Sequence, residues 1–367
     1  MTERELQSYL AAIRPADEAA MDAARRRQAE LAKPPGSLGR LEELAIRLSG
    51  VTGQVCPAMD RCRVAVFAAD NGVVAEGVSC TPPSVTLQQA VNMTRRKTGM
   101  SAMAAAFGDD VAVVDVGIDG DVPAVGILDR KVRRGTGNIA REDAMTRQQV
   151  LDAMAAGMEQ AADARRGGVT ALGIGEMGIG NTTTSAAVLA ALTGADIEAV
   201  TGRGGGLTDE GFRRKKAVLR QALALHRPDR NDVIGVLAGV GGLDLAAMTG
   251  AFLGCAHERV PAVADGFISI TAALCAVRLC PAARDVLFLS HDSYEVGYRI
   301  AAEELGLQPC LRLEMRLGEG SGCPLLFRVL EGACGVMRGM ATFAEAAIQD
   351  DYLDEIRAVD AFTVEGA

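Results

Sequence analysis

The 367-residue sequence contains no tryptophan, and aromatic side chains make up only 4% of it. Proteins that bind single-stranded nucleic acids stack the bases on aromatic side chains, so this class is disfavoured. The net charge of −9 argues the same way, because binding a phosphate backbone requires a basic surface. We therefore expect no nucleic-acid partner.

Secretion and membrane signals are also missing. The chain starts Met-Thr-Glu-Arg-Glu, without the basic start and apolar core of a signal peptide. No apolar run approaches the roughly 18 residues of a membrane span, so no membrane partner is expected. The nine cysteines are odd in number and form no C-x-x-C pair, which favours reduced, buried thiols over disulfides or zinc. These features predict a cytoplasmic protein without a metal site.

Glycine, by contrast, is abundant at 42 residues and predicts many tight loops. Short apolar runs alternate with helical stretches over most of the chain, which predicts an α/β fold with a parallel sheet covered by helices. The candidate strands are Val64–Ala69, Val111–Val116, Val169–Ile174, Val233–Gly239, Ala262–Ala264, Val286–Ser290 and Leu311–Met315.

The two ends of the chain are helical in pattern. Residues 5–32 precede Lys33-Pro34-Pro35-Gly36-Ser37, which ends that section because proline cannot continue a helix. Helical patterns also cover Leu38–Ser49, Thr146–Arg166 (with a methionine-bearing face expected on the sheet) and Phe327–Val359. We expect residues 1–32 and 335–367 to form a small helical domain, and 33–334 a large α/β catalytic domain.

Most glycine clusters and acidic candidates follow the predicted strands. Ligands of an open parallel sheet bind beyond the carboxyl ends of its strands, so these loops should share one edge. They are Asp70–Gly72, Gly117–Asp119, Gly173–Ser185, Gly239–Gly242, Asp265–Phe267, Ser290–Asp292 and Gly318–Gly322.

The segment Gly173–Ser185 is the most informative of these loops. It follows an apolar run and leads into a helical pattern, so its turn amides, its threonine hydroxyls and the helix dipole suit a phosphate. Glu176 within it would repel phosphate, which suggests a role toward a cationic or proton-bearing part of the ligand. The alternative is a tight turn with a capped helix. The segment also fits G-x-G-x-x-G, but a lone match of that kind is weak.

A second glycine cluster, Thr201–Thr208, precedes the basic helix segment Arg213–Lys216 and offers a second phosphate or carboxylate cradle. The alternative is a flexible loop before a solvated helix face. Neither cluster matches G-x-x-x-x-G-K-[ST], so an ordinary ATP-binding loop is not supported.

Glu319 stands between glycines after a predicted strand. Apolar surroundings would raise its pKa toward the range of a general base, whereas an exposed turn glutamate is the alternative. Ser290-His291-Asp292 does not predict a nucleophile, because three consecutive residues cannot converge on one atom and no G-x-S-x-G elbow is present. We expect core, capping or surface roles for the three histidines.

Several long motifs together resemble one family. They are Lys33–Glu42, Ala69–Val73 with Glu76–Val78, Asp115–Asp119, Gly175–Thr183 and Arg316–Gly322. From about residue 30 to 340, the chain is similar to nicotinate-nucleotide–dimethylbenzimidazole phosphoribosyltransferases.

The resemblance implies transfer of phosphoribose from nicotinate mononucleotide to 5,6-dimethylbenzimidazole, giving α-ribazole 5′-phosphate and nicotinate, in nucleotide-loop assembly of cobalamin. It also implies a homodimer, a Rossmann-like large domain, a small helical domain from both termini and no cofactor. Glu319 would be the general base, and Glu176 would stabilise positive charge developing on the ribose. The implied nucleotide- and phosphate-binding residues are Gly175, Gly178, Gly180, Asn181, Thr182, Thr183, Gly202, Arg203, Gly204 and Lys215, and those of the base pocket are Thr81, Gln89, Asp265 and Leu317.

Two segments, 79–84 and 204–206, depart from the family pattern, and the first leaves the preferred acceptor base open. One alternative function is therefore a related enzyme that uses another base, such as adenine or a phenol. A nucleotide-binding sensor would keep the glycine loops but need neither glutamate. A dehydrogenase fits worst, because no acidic residue follows a first-strand fingerprint at about 20 positions.

Overall fold

A computed structural model of the chain describes residues 1–123 and 126–354. Its strands are β1 Cys62–Ala69, β2 Asp110–Gly117, β3 Ile127–Asp129, β4 Ala171–Met177, β5 Ala262–Ala264 and β6 Leu287–Leu289. Its helices are α1 Glu3–Ala12, α2 Glu18–Glu30, α3 Arg40–Thr52, α4 Val85–Thr94, α5 Gly99–Phe107, α6 Arg147–Arg166, α7 Asn181–Thr193, α8 Ile197–Val200, α9 Asp209–His226, α10 Val233–Val240, α11 Leu243–Glu258, α12 Phe267–Leu279, α13 Gly297–Leu305 and α14 Cys323–Gly339. Short 3₁₀ helices cover Gly72–Glu76, Pro281–Val286 and Asp351–Leu353.

The six strands form one sheet in the order β3-β2-β1-β4-β5-β6, and every pair is parallel. The central strand β1 is buried along almost its whole length, as its continuous apolar run predicts. The strand order reverses between β1 and β4, and ligands of such sheets bind at this point, beyond the carboxyl ends. The predicted α/β fold with a Rossmann-like parallel sheet is confirmed.

Two predicted strands are wrong. Val233–Gly239 forms the helix α10, whose N-terminus is capped by Asp232 through the amide of Gly235 at 3.0 Å. A short run that is apolar on all sides fits a buried helix as well as a buried strand, so its pattern does not distinguish them. Leu311–Met315 forms no strand: Glu314 has a left-handed φ of 54°, which breaks an extended backbone, and only Leu311 bridges to His291.

Sequence patterns also missed β3 and misplaced the packing of α6. The strand β3, Ile-Leu-Asp, lies at the sheet edge and has only three residues, which is too short a run for a strand pattern to be recognised. Helix α6 packs chiefly against α11 rather than on the sheet. Gly157 permits this close approach, since a Cβ there would lie 1.8 Å from the carbonyl oxygen of Ala247. The methionine face of α6 is buried, as predicted.

The chain divides into two compact units that differ from the predicted 1–32/335–367 and 33–334 division. The larger comprises Met1–Arg14 and Arg61–Leu326 and contains the whole sheet. Helix α1 belongs to it, because the amino group of Met1 contacts Asp152 at 3.1 Å and Tyr9 stacks on His257. These partners lie more than 140 positions away, so the local pattern of residues 5–32 gave no sign of them.

Among the described residues, the smaller unit comprises Pro15–Asp60 together with 327–354. It is helical, and the guanidinium of Arg27 in α2 donates to the carbonyls of Met337 and Met340 at 3.3 and 3.2 Å. Lys33 is buried, and its amino group pairs with the Glu42 carboxylate at 2.7 Å. This ion pair joins the start of the proline-glycine motif to helix α3. The helix predicted over Phe327–Val359 instead ends at Gly339, and 355–367 lie outside the described residues.

Residues 1–123 and 126–354 contain no candidate membrane span and no candidate metal site. No helix there combines the length and apolar character needed to cross a bilayer. No group of three or more His, Cys, Asp or Glu side chains is arranged there to hold a metal ion.

Candidate active site

A cavity of about 260 Å³ opens in the larger unit among the loops at the carboxyl ends of the strands. Its wall contains residues from β4, from the start of α7 and from the segments around positions 80, 204, 266, 293 and 318. The predicted site residues that line it are Thr81, Gln89, Glu176, Gly178, Gly180, Asn181, Thr182, Arg203, Gly204, Asp265, Leu317 and Glu319.

The Gly173–Ser185 segment is partly strand and partly turn. Strand β4 continues through Met177, so the turn itself is only Gly178–Gly180. Gly180 has a φ of 94°, which favours glycine, and it begins α7, whose N-terminus has no side-chain cap. Uncapped amides at a helix N-terminus attract anions, so this part of the wall suits a phosphate.

Gly175 lies in β4 behind the wall, and its role differs from that of the turn. A Cβ at Gly175 would lie 2.7 Å from the carbonyl oxygen of Glu319 and from the backbone of Gly320. The glycine therefore lets the Glu319 turn pack directly on the strand. Thr183 is fully buried in α7 and also lies outside the cavity wall.

Glu319 occupies an unusual turn. Its φ is 63°, and those of Gly318 and Gly320 are both 84°. A non-glycine residue in this region is strained and persists only where its surroundings hold it. The carboxylate of Asp265 does so, accepting hydrogen bonds from the amides of Gly320 at 3.0 Å and Gly322 at 2.7 Å.

The Glu319 side chain is 5% exposed and reaches the N-terminus of α5, where its Oε2 accepts a hydrogen bond from the Met100 amide at 3.2 Å. Burial raises the pKa of Glu319, the nearby charge of Asp265 adds to the rise, and bonds from Met100 and Thr98 oppose it. The side chain is buried, so the exposed-turn alternative is excluded, but its immediate partners are polar rather than apolar as predicted.

Glu176 lies directly behind this turn. Its Oε1 accepts a hydrogen bond from the backbone amide of Glu319 at 3.3 Å, and its Oε2 accepts one from the side chain of Asn181. Burial raises its pKa to about 8, and the charge of Asp244 adds to the rise. Glu176 is therefore mostly protonated at neutral pH. The two predicted glutamates contact each other across 143 positions of sequence.

Lys215 is fully buried and joins the two glycine clusters. Its Nζ donates to Thr182 Oγ1 at 2.8 Å and to the Gly202 carbonyl at 3.1 Å. Burial lowers its pKa to about 8, and Glu295 opposes this shift. Neither Lys215 nor Gly202 lines the cavity, so they hold the wall from behind.

Arg203 is turned back on its own loop. Its guanidinium donates to the Leu207 carbonyl at 2.9 Å, pairs with Asp209 and lies over the Phe212 ring. Of the basic run Arg213–Lys216, only Lys215 is buried. The sequence alone showed the charges but not which one faces inward.

The predicted base-pocket residues lie on separate segments. Leu317 is 56% exposed at the cavity wall, and its Cδ2 lies 2.6 Å from the position that a Gly99 Cβ would take. Gln89 on α4 accepts a hydrogen bond from Asn92 at 3.1 Å. The Thr81 amide donates to Ser79 Oγ at 3.1 Å, which closes a small turn.

Sequence reasoning missed His291 and Glu295, which also line the cavity. His291 is buried, and its Nδ1 lies 3.0 Å from Ser290 Oγ and 3.7 Å from Asp265 Oδ1. Asp292 instead pairs with Arg299 at 3.1 Å, so the Ser-His-Asp run does not converge. His291 and Glu295 follow β6 at the edge of the sheet where ligands bind, and this position was the signal in the sequence that could have identified them.

The chain is similar to proteins of one known family. A family model described as "Phosphoribosyltransferase" matches residues 13–348. The chain is 46% identical over 341 residues to a nicotinate-nucleotide–dimethylbenzimidazole phosphoribosyltransferase of Clostridium perfringens strain 13, covering 93% of this chain and 94% of the relative. A Geobacter metallireducens protein of the same name is 45% identical over 347 residues, covering 94% and 98%.

A solved structure is similar as well. The crystal structure of the enzyme of that name from Thermus thermophilus superimposes with a TM-score of 0.86 at 44% identity. The match covers 91% of this chain and 99% of the Thermus chain.

Proposed function

Because the chain belongs to the nicotinate-nucleotide–dimethylbenzimidazole phosphoribosyltransferase family and is a phosphoribosyltransferase, we propose its particular reaction. It transfers the phosphoribosyl group of nicotinate mononucleotide to 5,6-dimethylbenzimidazole, giving α-ribazole 5′-phosphate and nicotinate. This step belongs to nucleotide-loop assembly of cobalamin. The observation that carries the proposal is one cavity lined by both Glu319 and an uncapped helix N-terminus.

The chemistry needs one general base and no general acid. One ring nitrogen of the benzimidazole forms a bond to ribose C1′ while the bond from C1′ to the pyridinium nitrogen breaks. The breaking bond's electron pair returns to the pyridine ring, so nicotinate leaves without being protonated. The other benzimidazole nitrogen loses its proton, and we assign its acceptance to the Glu319 carboxylate.

The environment of Glu319 supports this assignment. Burial raises its pKa, which brings its basicity closer to what proton abstraction requires. The Met100 amide donates to Oε2, and this bond favours the ionised form, which is the form that accepts a proton. A positioned base typically contributes about 10²–10⁴-fold to the rate.

Two roles for Glu176 can be distinguished. Its contact with the Glu319 amide supports a positioning role, which we favour. Stabilisation of positive charge on the ribose would need the ionised form, which becomes dominant only above about pH 8. A rate that rises with the ionisation of Glu176 would support the electrostatic role instead.

The donor's phosphate would bind the turn at Gly178–Gly180 and the loop at Gly204. Lys215 supports both segments through Thr182 and Gly202. Holding donor and acceptor in line should contribute as much as about 7–11 kcal/mol to lowering the barrier. The acceptor would lie against Thr81, Gln89 and Leu317, which line the same cavity.

Incubation of the protein with nicotinate mononucleotide and a panel of bases tests the proposal. The panel comprises 5,6-dimethylbenzimidazole, adenine and a phenol, and chromatography measures nicotinate release and the new nucleotide. We expect the fastest turnover with dimethylbenzimidazole. Faster turnover with adenine or the phenol would identify that base, rather than dimethylbenzimidazole, as the acceptor. Tight nucleotide binding without nicotinate release would refute the proposed reaction.

The homodimer and the cytoplasmic location stay predictions of the family resemblance. Light scattering during size-exclusion chromatography would measure the mass of the assembly. A mass near twice the 38.2 kDa of one chain is expected.

A further inference from the structure

Asp244 lies behind the cavity wall, in the first turn of α11, and its side chain is fully buried. Its Oδ1 accepts a hydrogen bond from the Leu245 amide at 3.0 Å, as an acid at a helix N-terminus commonly does. Its Oδ2 accepts a second bond, from the side-chain amide of Asn181 at 3.0 Å. A capping role alone explains neither the burial nor this second bond.

Asn181 connects Asp244 to Glu176 and, through Glu176, to Glu319. The same amide nitrogen that donates to Asp244 also donates to Glu176 Oε2. Glu176 Oε1 in turn accepts from the Glu319 backbone amide at 3.3 Å. Three consecutive hydrogen bonds therefore join α11 to the turn that carries Glu319.

Only one orientation of the Asn181 amide makes this chain. The nitrogen carries two donors, and both are used on carboxyl groups, whereas the oxygen can only accept. A flipped amide would present its oxygen to Asp244, whose ionised carboxylate has no proton to donate, and that bond would be lost. Asp244 is thus the acceptor that selects the orientation from the side remote from the cavity.

The Glu319 turn depends on such support. Three successive residues, Gly318 to Glu319 to Gly320, have left-handed φ values, a conformation that the surroundings must hold. We propose that Asp244 is a positioning residue for the reaction. Through Asn181 and Glu176, it holds the Glu319 backbone where its carboxylate meets the acceptor base. This inference rests on the proposed function, because Glu319 must be the base.

Charge in the network agrees with this arrangement. Burial raises the pKa of Glu176 to about 8 and that of Asp244 to about 6, so near neutral pH Asp244 bears the charge. Other titratable groups facing the network are Asp265, which has His291 beside it, and Glu319. An ionised Asp244 can only accept, which suits a group that fixes the orientation of a donor.

A double-mutant cycle between Asp244→Asn and Glu176→Gln tests the inference. The introduced amide opposes either the Asn181 or the Leu245 donor, so we expect kcat to fall about tenfold. The KM for nicotinate mononucleotide should change less than about threefold. In the Glu176→Gln background, Asp244→Asn should lower kcat by no more than about twofold, because the link is already broken.

Asp115→Asn is the matched control. Asp115 is a buried acid at the end of β2 that accepts bonds from the amides of Gly117 and Ile118 and pairs with Lys131. Its effect on kcat should be the same in both backgrounds. If Asp244→Asn also lowers kcat by the same factor in the wild-type and Glu176→Gln backgrounds, the inference is overturned.

Two further outcomes are informative. If Asp244→Asn does not fold, Asp244→Ser enters the same cycle, since it leaves a small acceptor beside Leu245. Failure of both to fold, while Asp115→Asn folds, would show that Asp244 serves stability and refute a positioning role. A wild-type protein that releases no nicotinate with any base would instead refute the proposed function.

Discussion

The cavity has an acidic end, and a buried lysine, Lys215, supports its wall from behind. Burial shifts the pKa values of these two regions in opposite directions. At the acidic end, comprising Glu176, Asp265 and Glu319, burial raises each pKa, that of Glu176 to about 8. At the basic support, Lys215, burial lowers the pKa to about 8. Both shifts disfavour the charged form, as expected for groups removed from water.

The partners of the two regions differ more than their burial. Glu176 and Asp265 accept hydrogen bonds from backbone amides of the strained turn that carries Glu319, so a change in their protonation is coupled to the position of Glu319. Lys215 donates to a hydroxyl and a carbonyl, which do not titrate. This difference fits the roles that we propose, which are proton transfer at the acidic end and the holding of two loops by Lys215.

The strongest test of this difference is Glu319→Gln. The amide cannot accept the benzimidazole proton, so kcat should fall about 10²–10⁴-fold with little change in the KM for nicotinate mononucleotide. Steady-state kinetics measures both constants. Glu314→Gln, an exposed residue of the same segment that also has a left-handed φ, is the control and should keep normal turnover. Near-normal turnover in Glu319→Gln would show that Glu319 is not the general base.

Asp265→Asn should have the next largest effect. The amide keeps one acceptor but opposes a donor to either Gly320 or Gly322, so the Glu319 turn loses a hydrogen bond. We expect kcat to fall about tenfold or more and the free energy of unfolding to fall by about 1–3 kcal/mol. Steady-state kinetics measures the change in kcat, and urea unfolding measures the change in the free energy of unfolding. Asp292→Asn, whose side chain pairs with Arg299 instead, should change kcat little.

Lys215→Met tests the basic support. Loss of the bonds to Thr182 and Gly202 should loosen both loops and raise the KM for nicotinate mononucleotide about tenfold, with a smaller change in kcat. Its neighbour Lys216, which pairs with Glu198, provides the control Lys216→Met. If the two variants bind nucleotide equally well, the holding role is wrong.

The smallest effect concerns stability and has opposite signs in the two regions. Between pH 4.5 and about 8, folded Glu176 keeps a proton that the unfolded chain has lost, so its contribution to stability falls as pH rises. Between about pH 8 and 10.5, folded Lys215 has released a proton that the unfolded chain keeps, so its contribution rises with pH.

Thermal unfolding across these pH ranges measures both contributions. Relative to wild type, Glu176→Gln should make Tm decline less steeply with pH below pH 8. Lys215→Met should remove the contribution by which Lys215 raises Tm with pH above pH 8. Unchanged slopes in both variants would show that burial does not perturb the two groups as proposed.

Sequence reasoning located much of this site because its signals are local. Glycines at 178, 180 and 204 mark turns, and Glu319 stands out between two glycines. Parallel strands bring such loops to one edge, so the shared cavity could be expected before any coordinates. The wrong strand at Val233–Gly239 leaves this result unchanged, because the neighbouring strands still end at that edge. The Glu319 turn, however, reaches the cavity although the strand predicted before it at Leu311–Met315 is not formed.

Other features had no local signal. Nothing in the basic run distinguishes Lys215 from its less buried neighbours, and Asp244 looks like any acid in a first helical turn. A core, capping or surface role is predicted for His291, and no local pattern indicates its contact with Asp265. Gly175 was assigned to phosphate binding, yet it makes room for the Glu319 turn.

The sequence by itself determined the alternation of strands and helices, the glycine turns at the carboxyl ends and the family. These depend on neighbouring residues, whose spacing sets backbone conformation and hydrophobic pattern. Only the tertiary structure decided which charged groups are buried and which amides they meet. Desolvation and hydrogen bonding depend on atoms brought together from distant positions, as Glu176 and Glu319 are across 143 residues.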